Sequence, residues 1–338
     1  MPSKVAMFST KGYDKRFFER HNNDYNHDIK YFEARLNSDT VTLAKGFPVV
    51  CAFVNDTLDA QTLTTLKENG TGLIALRSAG FNNVDIDKAE ELGMRVMRVP
   101  AYSPHAVAEH ALGLMLVLNR KIHKAQDRVR DQNFSLKGLV GFDMHGKTAG
   151  VIGVGKIGSV MCELLLGLGC RVIAYAHHER EQLKEKGVAF VSQEELLSQS
   201  DIITLHVPLT PETHHMINAE SIAKMKDGVM LINTCRGKVV DTSAVLDGLK
   251  SGKVGYFGLD VYEEEGDIFY RDLSEQVMTD EMIAQLILMP NAVITAHQGY
   301  LTREALESIA ETTLKNIADF EAGKSSDNEV HPEKHKKR

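Results

Sequence analysis

The sequence lacks tryptophan and is poor in proline and cysteine, with 0, 8 and 4 of these among 338 residues. Its 43% hydrophobic and 25% charged residues are an ordinary globular composition, which excludes a largely disordered, collagen-like or fibrous chain. No Cys-x-x-Cys pair is present, which argues against a disulfide framework or a zinc site and favours reduced thiols in the cytoplasm. The cysteines are widely spaced, at Cys51, Cys162, Cys170 and Cys235.

The chain also lacks an excess of positive charge and any long apolar run. Its net charge of −7 offers no overall field that would attract nucleic acid or anionic lipid. Apolar runs such as 111–118 fall far short of the ~20 residues that a membrane-spanning helix needs. The N-terminus has no apolar core of a secretory signal. We therefore expect a cytoplasmic protein that binds neither nucleic acid nor membrane.

The length exceeds one domain of roughly 100–200 residues, which predicts two domains. Short apolar runs alternate with helical stretches over the first hundred residues, and the alternation restarts at Thr148. Each series predicts a parallel, doubly wound α/β sheet. The expected strands are 4–8, 49–53, 73–77 and 95–99, followed by 149–153, 171–175, 202–206, 229–233, 255–260 and 292–295.

A long helix precedes the second series and a polar tail ends the chain. A Ser-Pro pair opens the segment 103–119, whose wide apolar face predicts one helix buried against another domain or subunit. A last helix is expected over 303–320. The stretch 324–338 has no apolar periodicity, so we expect a frayed tail with a solvated basic end.

A glycine motif marks a candidate cofactor site. The motif Gly153-Val-Gly155-Lys156-Ile157-Gly158 follows an apolar strand and opens a helix, which is the context that a dinucleotide site requires. The first glycine permits a tight turn, the second lets the backbone approach the pyrophosphate, and the third lets helix and strand pack closely. The helix N-terminus faces the anion.

The acidic residue that normally follows such a motif is absent. An Asp or Glu about 20 residues further on holds the ribose hydroxyls of NAD and repels a 2′-phosphate. Ala176 occupies that position here, and the cationic or titratable residues His177, His178 and Arg180 follow it. The choice between NAD and NADP therefore remains open.

Three chemically active residues follow later strand ends, where parallel sheets bind ligands. Arg236 suits a substrate carboxylate, because its guanidinium can bind bidentately. His297 can exchange the proton of a 2-hydroxy acid as hydride moves at carbon 2, and a carboxylate in the loop from Asp260 to Glu265 would stabilise its protonated form. Each residue also has a simple structural interpretation: a surface arginine, an acidic loop and a hydrogen-bonded core histidine.

With these residues the sequence resembles the D-isomer-specific 2-hydroxyacid dehydrogenases, and among them the fermentative D-lactate dehydrogenases, over nearly its whole length. The motifs that carry the resemblance are Phe8-Ser-Thr-Lys-Gly-Tyr-Asp14, Ala75-Leu-Arg-Ser-Ala-Gly-Phe-Asn-Asn-Val-Asp85, Val99-Pro-Ala-Tyr-Ser-Pro104, Asn133-Phe-Ser-Leu136, Asp260-Val-Tyr-Glu-Glu-Glu265 and His297-Gln-Gly-Tyr-Leu-Thr302.

The resemblance implies a role for each candidate residue. Arg236 would bind the substrate carboxylate, His297 would act as the acid/base, and Glu265 would tune it. The backbone of Ser78, Ala79 and Gly80 would also meet the carboxylate, while Tyr102 and Tyr300 would shape the pocket. The expected cofactor contacts are Gly153, Gly155, Lys156, Ile157, Gly158, Ala176, His177, His178, Val207, Pro208, Thr234, Cys235, Arg236, Asp260 and His297.

The resemblance further implies a split architecture and a reaction. A flavodoxin-like substrate domain would comprise residues 1–102 with 299–338, and a Rossmann domain would comprise residues 103–298. The expected activity is NAD(P)H-dependent reduction of pyruvate to D-lactate by a homodimer or a dimer of dimers. The apolar face of 103–119 is a candidate two-fold interface.

Several alternatives remain at this point. Hydroxypyruvate or a branched 2-oxo acid could be the substrate. Three related proteins are disfavoured. A phosphoglycerate dehydrogenase usually carries an added regulatory domain, and a formate dehydrogenase has Gln at the position of Glu265. A cofactor-sensing corepressor scaffold would carry a tryptophan, which this sequence lacks, and a long tail.

No metal site is expected. The histidine pairs 177–178 and 214–215 lack the helical spacing of a catalytic zinc site.

Overall fold

A computed structural model describes residues 3–332 of the chain. It divides into two compact units, one formed by Met1–Ser103 with Leu301–Arg338 and the other by Pro104–Tyr300. The basic end of the tail, from His335 to Arg338, lies outside the described residues.

The first unit contains a parallel sheet with the strand order β2-β1-β3-β4-β5, which is the flavodoxin-like order. Side chains cap the helices around it: Asp59 accepts the Thr62 N–H, and Thr302 accepts the Ala305 N–H. The strands are β1 (Lys4–Met7), β2 (Asp28–Tyr31), β3 (Val49–Ala52), β4 (Leu73–Leu76) and β5 (Arg95–Met97). The helices are α1 (Gly12–Asn22), α2 (Ala60–Glu68), α3 (Ile86–Glu91) and, from the end of the chain, α12 (Arg303–Glu321), with a 3₁₀ turn at Val41–Ala44.

The second unit contains a larger parallel sheet, ordered β12-β11-β10-β9-β6-β7-β8. The order reverses between β6 and β9, the point at which Rossmann sheets bind their ligands. The strands are β6 (Thr148–Ile152), β7 (Arg171–Tyr175), β8 (Ala189–Phe190), β9 (Ile202–Leu205), β10 (Val229–Asn233), β11 (Val254–Leu259) and β12 (Ala292–Ile294). The helices are α4 (Pro104–Arg120), α5 (Ile122–Arg130), α6 (Lys156–Gly167), α7 (Glu181–Glu185), α8 (Gln193–Gln199), α9 (Ala219–Lys224), α10 (Thr242–Ser251) and α11 (Glu281–Leu288), with 3₁₀ turns at Gly237–Val239 and Glu265–Asp267.

Two doubly wound parallel α/β sheets are therefore confirmed. The predicted strands and the two long helices lie within one or two residues of their observed bounds. The predicted set omitted α1, β2 and β8. β2 alternates exposed and partly buried residues and has no apolar run, and β8 has only two residues, so neither produces the pattern of a buried strand.

The apolar face of α4 packs inside its own unit. Ala111, Leu114, Met115 and Leu118 belong to a core that also contains residues of β6, β7 and β10. A Cβ atom at Gly258 of β11 would lie 3.0 Å from Leu118 Cδ1. The expectation that this face is reserved for another domain or subunit is therefore wrong for these four residues, because the sheet of the same unit already covers them.

The polar tail is attached to the first sheet. Val330 N–H donates to Val96 O at 2.9 Å, and Arg98 N–H donates to Asn328 O at 3.0 Å. The Arg95 guanidinium binds both carboxylate oxygens of Glu329, at 3.0 and 2.7 Å. The expected fraying is therefore wrong for residues 328–330, which pair antiparallel to β5 through main-chain bonds that sequence periodicity does not reveal.

Candidate active site

The glycine turn after β6 is built by close backbone contacts. Gly153 has φ +90°, and a Cβ there would lie 2.7 Å from His206 O. A Cβ at Gly158 would lie 1.9 Å from Gly153 O. Packing within the protein therefore requires glycine at both positions.

The middle glycine has no such requirement. Gly155 has φ −65°, and a Cβ there would meet no atom of the described residues within 4 Å. The side of the turn that Gly155 presents is open to a ligand, and α6 begins there with Lys156, Ile157 and Gly158 supplying first-turn amides. This turn fits the pyrophosphate of a dinucleotide.

The end of β7 lies beside this turn, because Gly153 N–H donates to Tyr175 O at 2.9 Å. Ala176 follows and is partly buried, while His177 and His178 are exposed. Arg180 Nε donates to Val154 O at 2.6 Å. A guanidinium rather than a carboxylate is thus attached to the glycine turn, and no local sequence pattern predicts this contact.

The end of β9 forms the other side of the switch point. The Cγ1 atom of Val207 lies 2.8 Å from the Cβ position of Gly153, and Pro208 follows it. His206 Nε2 is 2.9 Å from Thr204 Oγ1, and burial lowers the pKa of His206 to about 4. A neutral imidazole therefore supports the cofactor turn. Sequence reasoning missed His206, although its place after a strand next to the switch point was a usable signal.

Arg236 follows β10 and the buried Thr234 in a tight turn. Asn233 Nδ2 donates to Arg236 O at 2.9 Å, and Asn233 Oδ1 accepts the Cys235 N–H at 3.1 Å. Arg236 Nη1 donates to Cys235 O at 2.6 Å. The turn therefore fixes the base of the guanidinium side chain.

The Cys235 thiol is also held within this turn. It donates to Asn233 Oδ1 at 3.1 Å, and burial raises the pKa of Cys235 to about 11. The thiolate is the reactive form of cysteine, so this thiol is poorly placed for oxidation or alkylation near neutral pH. Cys235 acts here as a small hydrogen-bonding residue.

His297 and Glu265 form an ion-pair geometry after the ends of β11 and β12. His297 Nδ1 lies 2.8 Å from Glu265 Oε1, while Glu265 Oε2 accepts the Tyr262 N–H at 2.9 Å. Both side chains are partly exposed, at 16% for His297 and 25% for Glu265. The carboxylate engages Nδ1, which makes Nε2 the nitrogen available to a reacting molecule.

The backbone of His297 is in the left-handed region, with φ +51°. Its N–H donates to Asp260 O at 2.8 Å, and its carbonyl accepts the Tyr270 hydroxyl at 3.1 Å. Such a conformation persists in a non-glycine residue only when its surroundings determine it. The loop is therefore built to hold this imidazole in one place.

Asp260 is buried at the end of β11. Its carboxylate accepts the N–H groups of Gln298 and Gly299, each at 2.8 Å, and the Thr295 hydroxyl at 2.5 Å. Burial opposes ionisation, but His110, Thr295 and the backbone donors outweigh it and lower the pKa of Asp260. Sequence reasoning missed His110, because nothing in the repeat of α4 indicates that this residue reaches β11.

The expected carboxylate-binding backbone follows β4 in the first unit. Ser78 Oγ donates to Gly80 O at 2.7 Å, Val99 N–H donates to Ser78 O at 3.0 Å, and Arg98 Nη1 donates to Ala79 O at 2.7 Å. Of the two predicted pocket tyrosines, Tyr102 is partly buried near the end of this unit's first segment, and Tyr300 is buried at the end of the second unit.

The histidine pairs have ordinary surroundings. The rings of His214 and His215 stack at 4.1 Å, and His215 Nε2 lies 2.7 Å from Glu263 Oε1. Within residues 3–332, no three His, Cys, Asp or Glu side chains are arranged to hold a metal ion. Over the same residues, no helix has both the length and the apolar character that a membrane crossing requires.

Comparison with known proteins identifies the family. Residues 112–299 match the model of the D-isomer specific 2-hydroxyacid dehydrogenase, NAD binding domain. The D-lactate dehydrogenase of Escherichia coli K12 is 48% identical, over 97% of this chain and 99% of the relative. The structure of the pyruvate reductase of Chlamydomonas reinhardtii aligns with a TM-score of 0.92 at 43% identity, covering 97% of this chain and 98% of its own.

A third similar protein was solved with ligands. It is the D-lactate dehydrogenase of Aquifex aeolicus complexed with NAD and lactic acid, with a TM-score of 0.84 and 38% identity over 94% of this chain and 96% of its own. The chain belongs to the D-isomer-specific 2-hydroxyacid dehydrogenase family and is an NAD-dependent dehydrogenase. The resemblance inferred from the motifs is confirmed.

Proposed function

We propose that this enzyme reduces pyruvate to D-lactate with NADH, reversibly, in the cytoplasm. The observation that carries the proposal is the 2.8 Å pair of His297 and Glu265, on the same edge of the sheet as Arg236 and the glycine turn. The names of two similar proteins, a D-lactate dehydrogenase and a pyruvate reductase, support pyruvate as the substrate. The four cysteines are all described and unpaired, which suits a reducing compartment.

The proposed reaction needs one hydride and one proton. NADH held at the glycine turn Gly153–Gly158 would supply the hydride for carbon 2 of pyruvate, with NAD⁺ as the co-product. His297 in its protonated form donates the proton from Nε2 to the carbonyl oxygen, so that a neutral imidazole and an alcohol result. Glu265 stabilises the imidazolium before transfer and fixes Nδ1 as the nitrogen that faces away from the substrate. A proton taken up from the solvent then restores the imidazolium of His297.

Substrate orientation is the proposed task of Arg236 and the Ser78–Gly80 backbone. A guanidinium binds a carboxylate bidentately, which fixes both the position and the plane of the substrate. Tyr102 and Tyr300 limit the size of the third substituent on carbon 2. In this proposal the unit formed by Pro104–Tyr300 holds the cofactor.

NADP(H) is proposed as a second cofactor. Ala176 leaves the ribose hydroxyls without a charge-assisted hydrogen bond worth about 1.5–3 kcal/mol and removes the repulsion of a 2′-phosphate. Arg180, attached to Val154 O, brings a guanidinium to the same turn. The remaining proposed contacts are those of the glycine motif, His177, His178, Val207, Pro208, Thr234, Cys235 and Asp260.

We also propose a homodimer, or a dimer of dimers, with a surface other than the core-facing side of α4. None of the side chains of α5, all of them described, is buried. Exposed apolar side chains continue from this helix into the loop that follows it. They are Ile122, Val129, Phe134, Leu136 and Val140, with exposures of 53%, 47%, 72%, 79% and 81%. Several large apolar side chains exposed within one short segment are typical of an interface between copies.

The interface is tested by sedimentation of the wild type and of the Leu136→Asp variant. The wild type is expected at two or four times the chain mass, and the variant at half the wild-type mass. Val277→Asp is the matched control, because Val277 is 88% exposed and lies outside this surface. A wild-type monomer, or an assembly whose mass Leu136→Asp leaves unchanged, would exclude this interface.

The activity is tested by following loss of NADH absorbance at 340 nm with pyruvate, hydroxypyruvate and 2-oxoisocaproate as substrates. Pyruvate is expected to give the highest kcat/KM, and the product should be D-lactate by an enantiomer-specific assay. A clear preference for hydroxypyruvate or 2-oxoisocaproate would overturn the assignment of pyruvate within the same family. Binding of NADH without reduction of any 2-oxo acid would favour a cofactor-sensing scaffold.

A further inference from the structure

His110 reaches from α4 to the loop that carries His297. Its Nε2 atom lies 2.9 Å from Thr295 Oγ1 and 3.3 Å from Asp260 Oδ1. Thr295 Oγ1 donates in turn to Asp260 Oδ1 at 2.5 Å. The three side chains form a closed polar network in which His110 is a donor from helix α4, whereas Asp260 and Thr295 follow strands β11 and β12.

Asp260 is the centre of this network and holds the His297 segment on both sides. Its main-chain oxygen accepts the His297 N–H, and its carboxylate accepts the N–H groups of the next two residues, Gln298 and Gly299. Three successive amides of the segment therefore donate to Asp260. The position of Asp260 consequently fixes the position of the His297 backbone and of its imidazole.

The network is closely packed, so the His110 ring has little room to move. A Cβ atom at Gly299 would lie 3.0 Å from Asp260 Oδ2 and 3.5 Å from His110 Cδ2. The buried carboxylate is 2% exposed, so a change in its donors is poorly compensated by water. A different side chain at position 110 would let Asp260 and the three amides shift together.

We propose that His110 is a positioning residue for the reaction: by holding Thr295 and Asp260 it fixes the left-handed backbone of His297 and with it the proton-donating Nε2 atom. Within residues 3–332, no hydrogen bond or ion pair joins His110 to His297 or Glu265, and His110 acts through Thr295 and Asp260. The inference rests on the proposed role of His297, but not on pyruvate being the substrate.

The test compares His110→Gln with the wild type, using the 2-oxo acid that gives the highest rate. A misplacement of about 1 Å can cost roughly 100-fold in rate, so kcat is expected to fall by about 10- to 100-fold. KM for the 2-oxo acid should stay within about threefold, because Arg236 lies on a separate turn. His105→Gln is the matched control, since His105 lies exposed on the same helix, and it should leave kcat unchanged.

The isotope effect separates positioning from loss of folded enzyme. With NADH deuterated at the transferred hydrogen, the effect on kcat should be larger in His110→Gln than in the wild type, because the chemical step becomes more rate-limiting. Thr295→Val should behave similarly, and the double variant should lose less than the product of the two single losses. An unchanged kcat, or a lower kcat with an unchanged isotope effect, would overturn the proposal.

Amide hydrogen exchange provides a readout that does not depend on activity. The amides of His297, Gln298 and Gly299 should exchange at least about tenfold faster in His110→Gln, while amides of β6 keep the wild-type rate. Unchanged exchange would show that His110 does not hold the segment. If no 2-oxo acid is reduced, the proposed function fails while this measurement still decides the structural role of His110.

Discussion

Gly237 lies directly against the main chain of Tyr262: a Cβ atom at Gly237 would come within 2.1 Å of both the carbonyl carbon and the carbonyl oxygen of that residue. The turn that carries Arg236 therefore rests on the backbone that leads to Glu265. Together with the Asp260 N–H that donates to Asn233 O at 2.9 Å, this contact sets the placement of the turn of Arg236 relative to the backbone that leads to Glu265.

Replacing Gly237 by Ala should separate the two turns. We expect the change to lower kcat/KM by at least about tenfold and to destabilise the protein by about 1–3 kcal/mol, as overpacking of a filled site does. Steady-state kinetics and urea denaturation measure the two effects. Gly167→Ala is the control, because a Cβ at Gly167 meets no described atom within 4 Å; a Gly237→Ala variant as active as this control would contradict the prediction.

The pair of His297 and Glu265 predicts unequal losses of rate when either side chain is changed. Glu265→Gln keeps the shape of the side chain but removes the carboxylate charge that His297 Nδ1 contacts at 2.8 Å. A charge-assisted hydrogen bond of about 1.5–3 kcal/mol corresponds to about 10- to 100-fold in rate, so kcat should fall by about that factor. His297→Ala removes the proton donor itself and should lower kcat by roughly 10²–10⁴-fold. Steady-state kinetics measure both losses, and a Glu265→Gln variant with the wild-type kcat would show that the carboxylate does not act on His297.

Ala176 predicts relaxed cofactor choice. The kcat/KM values for NADH and NADPH should lie within about tenfold of each other, which corresponds to ~1.4 kcal/mol. Ala176→Asp should restore a strong preference for NADH, because its carboxylate would bind the ribose hydroxyls and repel the 2′-phosphate. Arg180→Gln should weaken NADPH use more than NADH use. A wild type that prefers NADH a thousandfold would rule out this interpretation of position 176.

His206 predicts a loss of stability in mild acid. Burial lowers its pKa from 6.5 to about 4, so between these pH values the unfolded chain binds a proton that the folded chain does not. His206 therefore leaves the free energy of unfolding unchanged above pH 6.5. As the pH drops from 6.5 towards 4, protonation of the unfolded chain lowers the free energy of unfolding by an amount of order 1–3 kcal/mol. Denaturation of the wild type and of His206→Gln at several pH values measures it. The variant should lose less stability over this range, and parallel curves would refute the prediction.

The sequence predicted the parts of the fold and site that depend on local pattern. The glycine turn at Gly153–Gly158 and the strand ends before Arg236 and His297 are visible because apolar runs end in polar or glycine residues there. These patterns can be read from residues that are adjacent in the sequence. They also located the cofactor-binding unit without any knowledge of strand order.

Contacts between distant segments were not predictable in this way. His110 reaches Asp260 across 150 positions of sequence, and the helical repeat around it carries no sign of that partner. Arg180 on Val154 O and Glu329 on Arg95 are further cases, since any of many exposed charges could have made them. Such contacts follow from the packing of whole elements, which periodicity alone does not specify.

The attachment of residues 328–330 to β5 sets an order of events during synthesis. The second unit is one uninterrupted segment, Pro104–Tyr300, so all of it leaves the ribosome before α12 and the final strand pairing are made. Domains generally fold as units while the chain is produced. The N-terminal segment of the first unit is therefore translated long before the C-terminal segment with which it pairs. The first unit can be completed only after the whole of Pro104–Tyr300 has been synthesised.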